Sequence, residues 1–109
     1  MIDQKVVDEA AAGLLAAAPG SKVILFGSYA RGELDPNSDL DFLVVEPEVK
    51  DRIGEMVRLR AALEPLLAEL LLPVDVLVVS AERFDYWRDT PNTVIHQAAN
   101  RGRVYEQVA

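Results

Sequence analysis

Apolar positions along the chain follow two rhythms. From Asp3 to Ala18, Val6, Val7, Ala10, Leu14 and Ala17 recur at helical spacing until Pro19-Gly20 stops the run, which predicts a first helix. Val23-Ile24-Leu25-Phe26 and Phe42-Leu43-Val44-Val45 are short, β-branched or aromatic, and bounded by turn formers, so both read as strands. Between the second strand and Pro73, Ile53, Met56, Val57, Leu63, Leu67, Leu70 and Leu71 keep a three-and-four spacing. Arg52, Glu55, Arg58 and Glu69 would lie toward the other side, giving an amphipathic helix from about Val49 to Leu71. Pro65 removes a backbone donor inside that pattern and predicts a kink or break near Leu63 and Glu64. Val74-Asp75-Val76-Leu77-Val78-Val79 then reads as a third strand buried on both faces, interrupted by one charge.

Beyond it, Ser80 is a plausible N-cap for a short turn through Glu82 and Arg83. Thr90-Pro91 could cap another helix carrying Val94, Ile95 and Ala98 and ended by Gly102, and Val104-Tyr105 reads as a last extended piece. The order predicts a small α/β (α+β) domain, with a mixed sheet of three to four strands and helices packed on it. The long helix between the second and third strands is the connection that a parallel pair needs.

Composition narrows the function. With 109 residues, half of them hydrophobic, the expectation is one compact domain over 1–109, with no room for a second lobe. No cysteine is present, which removes disulfides, thiolate metal sites and cysteine nucleophiles. The first residues lack a signal-peptide pattern and no run approaches the roughly 18 apolar residues of a membrane helix, so no membrane association and a cytoplasmic location are expected. Eleven Lys+Arg against eighteen Asp+Glu give a net charge of −7, which disfavours a long nucleic-acid partner. A nucleotide whose phosphates are neutralised by a metal remains compatible, as does a basic protein partner.

The candidate chemistry lies between the first two strands, in Gly27-Ser28-Tyr29-Ala30-Arg31-Gly32-Glu33-Leu34-Asp35-Pro36-Asn37-Ser38-Asp39-Leu40-Asp41. Gly27 can take backbone angles closed to other residues. Ser28 adds a hydroxyl where a following helical turn would point amides outward, as a phosphate cradle does. Asp39 and Asp41 alternate at the start of the second strand, so both carboxylates project from one side. Two parallel anions repel, and a divalent cation would compensate. Asp75, near the start of the third strand, would join them if the two strands are parallel neighbours, making a three-carboxylate metal site. Arg31 could neutralise phosphate or lie solvated on a helix face, and Ser38 shapes the turn before Asp39. Asp35, Asn37, Asp39, Asp41 and Glu46 also approach a calcium loop, but Leu40 stands where that loop needs glycine. His96, the single histidine, reads as a packing or surface residue, and Phe84, Tyr86 and Trp87 as core or interface aromatics rather than an adenine stack.

The Gly27-Ser28 pair, ten residues, then Asp39-x-Asp41 resembles the minimal nucleotidyltransferases of the DNA polymerase beta superfamily. The likeness runs from about Lys22 to Val79, and TPNTVIHQAANRGRVYE (90–106) is similar to the ending common in these small proteins. The resemblance implies a polymerase-beta-type fold, a triphosphate held at Gly27 and Ser28, and Mg2+, one ion or two, on Asp39 and Asp41. Asp75 would assist the attacking hydroxyl, and ATP would be the substrate. Small members of this kind are encoded beside a HEPN-domain RNase toxin, act as its antitoxin and transfer AMP to a toxin tyrosine, within a homo- or hetero-oligomer. The alternative is an antitoxin or scaffold that neutralises its partner by binding alone.

Overall fold

The computed structural model describes residues 4–27, 40–70 and 74–106, and every structural statement below concerns those residues. Helix α1 (Gln4–Ala17) buries Val7, Ala10, Ala11, Leu14 and Leu15, the i, i+3, i+4, i+7, i+8 stripe of an amphipathic helix. Strands β1 (Lys22–Phe26) and β2 (Leu40–Glu46) pair antiparallel, β2 and β3 (Val74–Ser80) pair parallel, and β4 (Arg103–Glu106) adds antiparallel to β1. The sheet order is β3-β2-β1-β4, four strands and mixed, as expected.

Alternation along the strands divides the side chains between two faces. Val23, Leu25, Leu40, Phe42, Val44, Val74, Val76 and Val78 meet α1 and the helices after β2 in one cluster. Ile24, Phe26, Leu43, Val45 and Val79 meet α4 (Ala81–Trp87) and α5 (Val94–Arg101) through Phe84 and Ala98 in the other. The expectation that β3 is buried on both faces holds only on the first. On the second, Asp75 is exposed and Leu77 half-buried, because α4 and α5 cover that side incompletely.

The predicted long helix is broken where Pro65 stands, into α2 (Arg52–Ala62) and α3 (Glu64–Leu70), with Leu63 at the joint. Pro65 thereby occupies the first turn of α3, where a missing N–H leaves no bond unmade. The helix starts at Arg52, three residues later than expected, because the Asp51 carboxylate accepts from the Gly54 N–H at 3.0 Å and sets the N-cap. Its buried face also differs from the expected one. Met56, Leu59 and Leu63 face the core, whereas Ile53 and Val57 are 73% and 64% exposed. The α5 cap is Thr93 rather than Thr90: the Thr93 hydroxyl accepts from the His96 N–H and donates to the Thr90 carbonyl.

Two arginines of α2 close the outer edge of β3. Arg52 Nε donates to the Val78 carbonyl at 2.8 Å and Arg60 Nη1 to the Val74 carbonyl at 2.7 Å, occupying acceptors that an edge strand would otherwise present to another chain. No described helix is long and apolar enough to cross a membrane.

Candidate active site

Leu40 and Val74, the first residues of β2 and β3, are 0% and 1% exposed and pair with each other across the parallel ladder. Burying them fixes which way the next residue points, since a shift of one residue would turn the whole apolar set of a strand outward. Asp41 and Asp75 therefore pair in register and project from the same, less covered face of the sheet. Adjacent strands stand about 4.8 Å apart, so the two carboxylates are neighbours.

Strand β1 supplies the backbone beside them. Phe26 pairs with Asp41, and Gly27 follows at φ 83°, in the left-handed region that glycine enters without strain. A Cβ at this position would stand 2.5 Å from Asp41 Oδ2. Glycine is thus required twice over, by the backbone angle and by the closeness of the carboxylate. Of the residues expected to form the site, Gly27, Asp41 and Asp75 are brought together at one end of the sheet. Ser28, Arg31, Ser38 and Asp39 lie outside the described residues, as do Asp35 and Asn37. Leu40 to Glu46 form a strand, which is incompatible with a calcium loop running through the same positions.

Two carboxylates side by side, one of them exposed, form a hard oxygen donor set suited to a divalent cation. Among the described residues no group of three or more such ligands is assembled. Asp41 and Asp75 fit as two members of a site whose further ligand would be Asp39.

The same face carries a cleft of about 370 Å3 immediately along the two strands. Its floor includes Leu43 and Leu77, two residues beyond Asp41 and Asp75, and Trp87, Val94 and Ile95 wall it from α4 and the start of α5. Neither leucine was singled out from sequence. The signal was present as a repeated Asp-x-Leu at the start of both strands, Asp41-Phe42-Leu43 and Asp75-Val76-Leu77. Phe84 is buried, whereas Tyr86 is 74% and Trp87 38% exposed, packed edge to face with centroids 5.0 Å apart. His96 is half-buried on a separate polar cavity.

A second carboxylate cluster occupies the opposite end of β2. Glu46 is 9% exposed, and burial, then a hydrogen bond with Glu55, pushes its carboxyl up to about 7. Glu55 is held down at about 2, chiefly by the Arg58 guanidinium, whose Nη2 donates to it at 2.8 Å. Glu46 Oε2 and the Ser21 hydroxyl are buried with no hydrogen-bond partner among the described residues.

Comparison with known proteins places these features in a family. A nucleotidyltransferase domain model matches residues 7–104. Over 70 residues the chain is 37% identical to the bifunctional uridylyltransferase/uridylyl-removing enzyme of Bordetella avium (strain 197N), a match that takes in 62% of this chain and 8% of that protein's length. Among solved structures, a toxin–antitoxin complex with AMP-PNP superposes at a TM-score of 0.63 and 21% identity, covering 97% of this chain and 75% of that one. The complex of tri-AMPylated Shewanella oneidensis HEPN toxin with MNT antitoxin gives 0.60 and 19%, covering 97% and 74%. At these identities the likeness is one of fold.

Proposed function

The chain belongs to the nucleotidyltransferase domain family, and from that premise we propose that it is a Mg2+-dependent enzyme transferring AMP from ATP to a hydroxyl of a partner protein. The observation that carries this reading is the in-register Asp41–Asp75 pair beside the left-handed Gly27. That arrangement offers carboxylates for a cation beside a glycine whose backbone angle suits the start of a phosphate-holding turn.

In this reading residues 1–109 form one catalytic domain. Gly27 and Ser28 hold the triphosphate through backbone amides, and Arg31 neutralises part of its charge. Ser38 shapes the turn that presents Asp39 and Asp41. A divalent cation held by Asp39, Asp41 and Asp75 would supply charge neutralisation at the α-phosphate, with one ion or two. The acceptor oxygen attacks the α-phosphorus, the bond from that phosphorus to the bridging oxygen breaks, and pyrophosphate leaves. The Asp75 carboxylate, exposed on the open face, accepts the hydroxyl proton.

A protein acceptor is favoured by the net charge of −7, which repels a nucleic-acid chain. The toxin–antitoxin complexes among the structural neighbours, one with an AMPylated HEPN toxin, suggest that the partner is such a toxin and the acceptor its tyrosine. This chain would then act as a cytoplasmic antitoxin. The test is incubation with α-labelled ATP, Mg2+ and the product of the neighbouring gene. Label and the mass of AMP on that product are expected. No label with any nucleotide or metal would refute transfer. Neutralisation that survives Asp39→Asn with Asp41→Asn at equal expression would show that binding alone disarms the partner.

A further inference from the structure

Resting on the transfer reading above, we infer that the cleft beside the carboxylates seats the tyrosyl side chain of an acceptor polypeptide, hydroxyl toward Asp75, and does not hold the nucleotide base. The first ground is the direction of the reaction across the sheet. Gly27 follows β1, Asp41 lies on β2 and Asp75 on β3, so the three stand in the order of the strands. Attacking and leaving oxygens stand on opposite sides of the phosphorus. With the departing pyrophosphate on the β1 side, the acceptor approaches from the β3 side, where the cleft opens over Leu77, Val79 and Trp87.

The second ground is reach. Leu77 lies two residues beyond Asp75 on an extended strand, about 6.6 Å along it. A phenol carries its hydroxyl that far from its own backbone with an apolar ring between, so the ring lies over Leu43 and Leu77 while the oxygen meets Asp75. A serine or threonine hydroxyl, one carbon from the main chain, would leave the apolar floor uncovered. The cleft volume of about 370 Å3 is at the small end of the about 300–1,000 Å3 usual for pockets that hold a small organic ligand, and leaves room for a phenol ring with its flanking backbone.

The third ground is what adjoins the cleft. Thr93 and Val94 line both it and a second, polar cavity of about 450 Å3, walled by Asn92, Gln97 and Asn100. Side-chain amides can pair with the carbonyls and N–H groups of an extended peptide. Arg52 and Arg83 line the apolar cleft and Arg101 the polar cavity, so the groove is locally basic on an acidic chain and suits acidic residues flanking the tyrosine.

The full chain with labelled methyl groups is followed by NMR on adding Mg2+ and AMP-PNP, then acetyl-Glu-Tyr-Glu-amide, with acetyl-Lys-Tyr-Lys-amide as the charge control. Nucleotide should move the amides of Gly27 and Asp41. The acidic peptide should then move the Leu43, Leu77 and Ile95 methyls and the Trp87 indole N–H, and bind more tightly than the basic one. Trp87→Ala should weaken the acidic peptide by about tenfold and leave nucleotide affinity unchanged. The inference is overturned if those methyls respond to nucleotide alone with no further response to peptide, if neither peptide moves them, or if Trp87→Ala weakens nucleotide instead. Gly27 and Asp41 unmoved by nucleotide would count separately, against the transfer reading itself.

Discussion

Strand β2 carries an acidic residue near each end, and the two ends behave oppositely. Asp41 projects onto the less covered face beside the exposed Asp75, while Glu46, five residues on, projects onto the helix-covered face and is buried. Parity explains the difference: odd positions of β2 face α4 and α5, even positions face α1 and α2. At the covered end the like-charge crowding is met internally: burial and Glu55 hold the Glu46 carboxyl up at about 7, and the Arg58 guanidinium bonds Glu55. At the open end Asp75 is exposed and Asp41 half-buried, both on the less covered face, where a ligand from outside can reach them. Identical chemistry is thus structural at one end and available for function at the other.

The comparison would break most sharply at Asp41. Asp41→Asn should lower transfer of label from α-labelled ATP to the partner by roughly a thousandfold, while the thermal transition persists, because the side chain sits on the open face. Gly27→Ala comes next. The new Cβ, 2.5 Å from Asp41 Oδ2 at φ 83°, should lower unfolding free energy by about 2 kcal/mol and depress transfer as Asp41 is displaced.

The covered end should show its proton in the pH dependence of stability. Glu46 has a folded value of about 7 against an ordinary 4.5, so between those values the folded chain holds a proton that the unfolded chain has released. Stability should therefore fall as pH rises through that window. Below it, the depressed Glu55 acts the other way, its contribution being lost as pH falls toward 2. Glu46→Gln should flatten the upper slope and be more stable than the parent by about 2 kcal/mol at pH 8, with little change near pH 4.5, in urea unfolding at both pH values. The smallest effect on stability is expected at Asp75. Without divalent cation, Asp75→Asn should raise stability by about 0.5 kcal/mol by relieving the repulsion with Asp41, and Mg2+ should narrow that gap.

The open end was legible in advance because it rests on local rules. Asp41 and Asp75 each follow an apolar residue at the start of a strand, and period-two alternation with a buried neighbour decides where they point. Gly27 was legible as a residue permitted unusual angles, although its closeness to Asp41 was not, since that contact joins residues fourteen positions apart, one just after β1 and the other on β2. Ile53 and Val57 were assigned to the core on spacing alone and proved exposed. Several apolar stripes were available on α2, and the position of the helix along the β3 edge, set by Arg52 and Arg60, selected Met56, Leu59 and Leu63. Thr90 was assigned as the cap from the Thr-Pro pair alone, whereas the chain's path places the Thr93 hydroxyl on the His96 N–H.

By itself the sequence determined the alternation of elements, the break at Pro65, the parallel pairing implied by a helical crossover, and the spacing that joins a glycine turn to paired carboxylates. These depend on backbone angles and side-chain periodicity within a few residues. The tertiary structure alone decided which carboxylates stay accessible, which stripe of α2 is buried, and that a cleft lies two residues beyond the paired aspartates. Each of these depends on how completely one layer of helices covers a sheet face, and that follows from packing between residues far apart in the chain.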